Sequence, residues 1–154
     1  MKIETQFPAY SYRSDPAVPD FDDDGPVAFM DGECALCTRG ARLIARYDRS
    51  GQIRICPVLS PTGTAVMRHY GLDPAAPDSW LMLIDGRAYT SLDAIIRAGT
   101  LIGGAGHLLS VFRLLPRPVQ DWLYRRLARN RFRIAGRTDM CAVPDPALRR
   151  RLIG

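Results

Sequence analysis

What this chain lacks narrows it first. No uninterrupted apolar stretch approaches the roughly eighteen residues that a membrane span requires, so an integral membrane protein is not expected. The first 25 residues lack the charged start and apolar run of a secretory signal, and the expected compartment is the cytoplasm. There is no internal repeat and no low-complexity segment. Neither a Walker-type phosphate loop nor a G-x-G-x-x-G turn is present, which removes the commonest nucleotide-binding signatures. Histidine is scarce: His69 falls late on a predicted helix and His107 in an apolar, glycine-rich run, and both are expected to be structural. A single lysine stands against twenty arginines.

What is there fits one compact domain. At 154 residues the chain can bury a core without staples, and 47% hydrophobic with 24% charged residues is ordinary for a globular protein. The net charge of +5 is unevenly placed, with eleven Arg and three Asp from residue 101 onward. Such charge attracts nucleic acid, acidic partners or anionic lipid heads. A solvated arginine-rich surface is the expected reading here, and no nucleic-acid partner is expected. Four cysteines in a cytoplasmic chain of this length suggest reactivity rather than scaffolding.

The element order can be read along the chain. Residues 1–25, with three Pro and a DDD run, are expected to be a loosely ordered arm or a strap over the domain, which then spans 26–154. Pro26 to Met30 reads as a buried strand broken by Asp31-Gly32. From Ala35 the positions Leu36, Ala41, Leu43, Ile44 and Tyr47 predict a helix with one buried face, ending before Ser50. Gln52 to Cys56 alternates as a strand closed by Pro57. Ser60-Pro61 caps a helix running to about Tyr70. Trp80 to Ile84 is a second apolar strand, and Asp85-Gly86 signals a hairpin to Arg87–Thr90. Ser91 is expected to cap a helix with Ala94, Ile95 and Ala98 inside. The first crossover makes a parallel pair and the last two strands a hairpin, giving an α/β mixed sheet flanked by helices. Beyond residue 100 a helical C-terminal extension follows: the apolar 101–115 run, a helix from Pro118 to about Asn130, and a short one from Pro146. The 101–115 run is open to three readings, core, a membrane-surface helix or a partner groove, of which core is the expected one.

Chemistry concentrates at Cys34 and Cys37. Residues three apart on a helix share a face, with Cβ atoms ~5–6 Å apart, close to the ~3.5–4.5 Å that a disulfide requires. A helix N-terminus favours the thiolate and can bring a cysteine pKa from about 8.5 down to ~3.5–7.5. A thiolate attacks a disulfide, and a second cysteine in reach resolves the mixed disulfide. Cys34, at the end of the loop, is the predicted nucleophile; Cys37, a turn deeper, resolves. The C-x-x-C joins a strand to a helix inside a strand-helix-strand pattern, the context in which this motif is redox-active. Two alternatives stay open. A structural zinc or other metal module would use Cys34 and Cys37 with Cys56 and Cys141, or with His69 or His107, but no second close pair exists and a metal is not the expected reading. An interaction protein would instead use the basic helical C-terminal part. Cys56 is expected to be a small core residue, and Cys141, in a polar loop, is a possible additional thiol.

The stretch Asp31-Gly32-Glu33-Cys34-Ala35-Leu36-Cys37 resembles the DCC family of thiol-disulfide oxidoreductases, named for an Asp-x-x-Cys-x-x-Cys motif. Leu123-Tyr124-Arg125, Ala128-Arg129-Asn130-Arg131-Phe132-Arg133 and Cys141 match a further pattern of that family, so the resemblance covers roughly residues 26–152. It implies a thioredoxin-like sheet flanked by helices, dithiol–disulfide exchange without a bound cofactor, and Asp31, Cys34 and Cys37 as motif residues. Its partners would be a protein or small-thiol substrate and a cellular reductant. Asp31 either fixes the loop, the expected role because Asp-Gly is ordinary turn chemistry, or takes a proton from Cys37. Thioredoxin-like proteins also place a cis-proline before the strand facing the motif. Pro77 is the candidate for that position and Ser79 the alternative, both as substrate-binding residues. The inter-cysteine residues are Ala-Leu rather than Gly-Pro, so no redox potential carries over.

Overall fold

A computed structural model describes residues 6–75 and 80–154. The sheet has four strands: β1 (Val27–Met30), β2 (Arg54–Pro57), β3 (Leu81–Ile84) and β4 (Arg87–Thr90), in spatial order β2-β1-β3-β4. β1 and β2 are parallel, with Phe29 opposite Cys56, while β1–β3 and β3–β4 are antiparallel. The mixed sheet with flanking helices and a C-terminal helix is the expected α/β, thioredoxin-like arrangement. β1 is buried at every position, as a continuous apolar run in a sheet covered on both faces should be.

The period-two alternation of β1 divides the core. Ala28 and Met30 face helix α1 (Ala35–Tyr47) and helix α3 (Ser91–Ile102), packing with Ala41, Ile44, Ala94 and Ala98. Val27 and Phe29 face helix α2 (Pro61–His69), packing with Val66, Met67 and Tyr70. That second face is completed from the N-terminal side. Tyr12, in a 3-10 turn at Ser11–Ser14, is fully buried there, with Phe7, Val18 and Phe21 beside it. Polar contacts pin the same segment. The Tyr12 hydroxyl donates to Asp23 at 2.7 Å, Tyr10 N–H donates to the Gly86 carbonyl at 2.8 Å, and His69 joins Asp15 at 2.8 Å and Ser11 at 2.9 Å. Asp85 and Gly86 both have positive φ, the backbone of a tight hairpin turn, and a Cβ at Gly86 would meet the Tyr10 ring at 2.5 Å.

Several boundaries differ from the sequence reading, each for a physical reason. Pro57 belongs to β2, which tolerates it because β2 is an edge strand. The outer edge of β2 is covered by the chain's end: Ile55 N–H donates to the Arg151 carbonyl and Ile153 N–H to the Ile55 carbonyl. Ser91 does not cap; Thr90 holds the N-cap position without a side-chain bond, and Ser91 itself has φ 58°. On α1, Leu43 and Tyr47 are exposed, so the buried face is narrower than the apolar one. Helix α4 spans Arg117–Ala135, passing Asn130 and ending at Gly136, whose positive φ terminates it. A short α5 (Pro146–Arg149) follows.

The largest departure is the 101–115 run. It is not core. Gly103 and Gly104, both at positive φ, break the chain after α3, and Gly104–Leu114 forms a 3-10 segment with no buried residue. Only one side of it packs: Gly106 lies against the backbone of Gly99 on α3.

Candidate active site

The motif loop is organised by its own carboxylate. Asp31 follows β1, and its Oδ1 accepts the Glu33 N–H at 2.9 Å, folding Asp31-Gly32-Glu33 into a side-chain-closed turn. The turn delivers Cys34 to the N-cap of α1 in extended conformation, φ −88° and ψ 118°. There the Cys34 carbonyl accepts the first helical bond from Thr38, and its Sγ accepts the Cys37 N–H at 3.4 Å. The sulfur therefore sits where an oxygen would in an ordinary capped helix, at the positive end of the helix dipole. Both thiols are free.

Arg131 completes the loop from the other end of the chain. Its Nη2 donates to Asp31 Oδ2 at 2.9 Å in a pair whose side chains are only 12% and 10% exposed. Both oxygens of Asp31 are thus engaged. The positive charge also reaches Cys37, whose thiol is pushed up to about 12, first by burial and then by the neighbouring Cys34, with Arg131 pulling the other way. Sequence reasoning gave Arg131 no role, although it quoted the residue inside a matched block. The signal was its spacing: Tyr124, Ala128 and Arg131 share one face of α4. Tyr124 is buried on that face, and its hydroxyl accepts the Trp80 N–H at 3.1 Å.

A second strip of backbone crosses the motif. Ala35 N–H donates to the Gly136 carbonyl, Thr138 N–H to Glu33 and Met140 N–H to Gly32, and Cys34 forms an antiparallel bridge with Arg137. One result reverses an expectation. Cys34, expected to be the approachable thiol, has no exposed surface, whereas Cys37 is half-buried. The cause is this 136–140 strip, a polar stretch whose docking leaves no periodic trace in the sequence. Cys37, Asp31 and Arg131 line a cavity of about 960 Å³ walled largely by apolar side chains of α1, α3, α4 and the 3-10 segment, among them Leu36, Leu43 and Leu127.

The remaining candidates are scattered. Cys56 is buried on β2, sharing a hydrogen bond with Ser60 at 3.4 Å. Cys141 is exposed in a turn closed by Asp139. His69 holds the N-terminal segment, and His107 is exposed on the 3-10 segment. Among the described residues, no three His, Cys, Asp or Glu side chains converge as metal ligands do. Pro77 and Ser79 lie outside the described residues. Among the described residues, no helix is long and apolar enough to cross a membrane.

A paired thiol at the junction of β1 and α1, capping the helix, defines a thioredoxin-like dithiol protein by its architecture. The profile of the DCC1-like thiol-disulfide oxidoreductase family matches residues 28–137, and the chain belongs to that family. It is 31% identical over 127 residues to the uncharacterized protein YuxK of Bacillus subtilis, covering 82% of this chain and 93% of that one. It is 29% identical over 121 residues to a chloroplastic DCC family protein of Arabidopsis thaliana, covering 78% and 70%. No solved structure matches the chain significantly.

Proposed function

We propose that this protein catalyses dithiol–disulfide exchange through Cys34 and Cys37. The observation that carries the reading is the pair's placement at one helix N-terminus, with Cys34 Sγ accepting the Cys37 N–H. The Cys34 thiolate attacks one sulfur of a substrate disulfide and releases the other as a thiol, forming a mixed disulfide. Cys37 loses its proton and attacks Cys34 Sγ, releasing the second substrate thiol and leaving a Cys34–Cys37 disulfide. Two electrons have passed to the substrate, and a cellular thiol reductant restores the pair. The elevated Cys37 thiol supplies little thiolate at neutral pH, which suits a resolving cysteine more than an attacking one. Attack by Cys34 requires the 136–140 strip to lift. Asp31 serves as a positioning residue, held between Glu33 N–H and Arg131. The apolar cavity suits the part of a protein or small-thiol substrate that flanks the reacting disulfide, and the cytoplasm remains the proposed compartment.

Cys37 lining the cavity favours one second reading, in which Cys37 attacks first. Trapping separates the two. Incubated with a mixed aromatic disulfide, Cys37→Ser is expected to hold a stable adduct on Cys34, while Cys34→Ser forms none. An adduct on Cys37 in Cys34→Ser, with none in Cys37→Ser, reverses the order. Absence of adducts in both variants overturns the exchange reading.

A further inference from the structure

The outward side of the Gly104–Leu114 segment is a ridge. In a 3-10 helix residues three apart eclipse one another, so Leu108, Val111 and Leu114 stand in a single row. All three are exposed, Leu108 at 74% and Leu114 at 84%. The opposite row points inward: Gly106 lies against Gly99, and Leu109 lines the cavity. A Cβ on Gly99 would meet the Gly106 carbonyl oxygen at 2.7 Å, so the two backbones are in close contact and the ridge is held firmly outward. The chain continues into α4, whose first turns expose Val119 and Trp122. The same stretch, residues 104–135, carries six exposed arginines, at 113, 117, 125, 126, 129 and 133, against one acid, Asp121.

We propose that this face docks on an anionic lipid bilayer. The leucine ridge and Trp122 enter the boundary between headgroups and acyl chains, and the arginines meet lipid phosphates. The observations favour this occupant over others. Nucleic acid would satisfy the arginines but leave the leucine row in water. A second copy in a two-fold dimer would set one arginine-rich face against another. An exposed apolar row on a strongly basic stretch has its complement in a bilayer, which accepts apolar side chains and carries the opposite charge. The inference is independent of the cysteine chemistry.

Flotation of the full chain with lipid vesicles tests it. The protein is expected to float with vesicles of equal parts phosphatidylcholine and phosphatidylglycerol, not with phosphatidylcholine alone, and less at high salt. Arg113→Gln and Arg117→Gln are each expected to weaken partitioning about fivefold. Leu108→Asp with Leu114→Asp is expected to weaken it roughly tenfold or more per leucine. Because those leucines are largely exposed, circular dichroism and the alkylation of Cys34 and Cys37 should be unchanged in the double variant. Cys34→Ser should float like the parent. Failure to float with either vesicle overturns the proposal, as does equal flotation with both. So does a double variant that floats undiminished, or light scattering in which the parent is a dimer and the double variant a monomer.

Discussion

Two segments of this protein invert the usual relation between hydropathy and burial. The stretch before residue 25 is proline-rich and acidic, yet Tyr12 within it is fully buried and completes the core on one face of the sheet. The 104–114 stretch is apolar and glycine-rich, yet none of its residues is buried. The difference lies in what each segment meets. Tyr12, Phe7 and Phe21 find aromatic and aliphatic partners left open by the short α2, and Asp23, Asp15 and the Gly86 carbonyl satisfy the polar groups that come with them. The 3-10 segment meets α3 along the side of Gly106 and Leu109, and its periodicity of three sets Leu108, Val111 and Leu114 toward the outside. Mean hydropathy says how much a segment would gain by burial. Shape and polar satisfaction decide whether burial happens.

The largest effect is expected for Tyr12→Ala, about 3–5 kcal/mol, as for other large aromatic truncations in cores, measured by urea unfolding. Arg151→Ala should be comparable at about 3–5 kcal/mol. It strips the partner from Asp48, whose carboxylate is 1% exposed and accepts from Arg151 at 2.6 Å, and a buried charge is left behind. Burial pushes the Asp48 carboxyl up, but the bonds from Ser50 and Arg151 outweigh it and hold it below its ordinary range. Tyr12→Phe keeps the ring and loses only the bond to Asp23, so a cost of about 1 kcal/mol is expected.

Acid should act on the N-terminal segment through Asp15. The hydrogen bond with His69, aided by the Ala17 N–H, holds its carboxyl below the ordinary value. A depressed carboxyl contributes stability that is complete above the unfolded value of about 3.9 and is lost as pH falls through the folded one. Amide exchange of residues 10–18 is therefore expected to accelerate below about pH 4 relative to β1, and His69→Ala should reduce that difference to the part that Asp23 contributes through Tyr12 and Arg13. The smallest effect is expected at the ridge. Leu114→Ala should change stability by no more than about 0.5 kcal/mol, because the side chain is largely exposed. A cost like that of Tyr12→Ala would mean that the ridge is covered in solution and would undo the contrast.

Much of the fold was legible where local chemistry and periodicity agree. β1 and β3 are short apolar runs, Ser60-Pro61 starts α2 as written, and Asp85-Gly86 makes the hairpin it signals. The placement of Cys34 and Cys37 at the start of α1 was legible from spacing and context. What could not be read were contacts between distant polar segments. Arg131 reaches Asp31 across 100 positions, and the 136–140 strip covers Cys34 through main-chain bonds that any sequence can make. The 3-10 segment was misread for another reason. Its apolar composition made core the expected reading, but the glycines at 103 and 104 break the chain after α3 and the 3-10 turn that follows sets Leu108, Val111 and Leu114 in one exposed row.

The central claim, that Cys34 and Cys37 act as one redox pair, is tested most directly by alkylating the protein across a series of thiol–disulfide buffers and reading both cysteines by mass spectrometry. The account predicts a single reversible two-electron transition in which the two thiols are blocked and released together, absent in Cys34→Ser. Thiols that titrate independently, or that stay unreactive until a chelator is added, would contradict it.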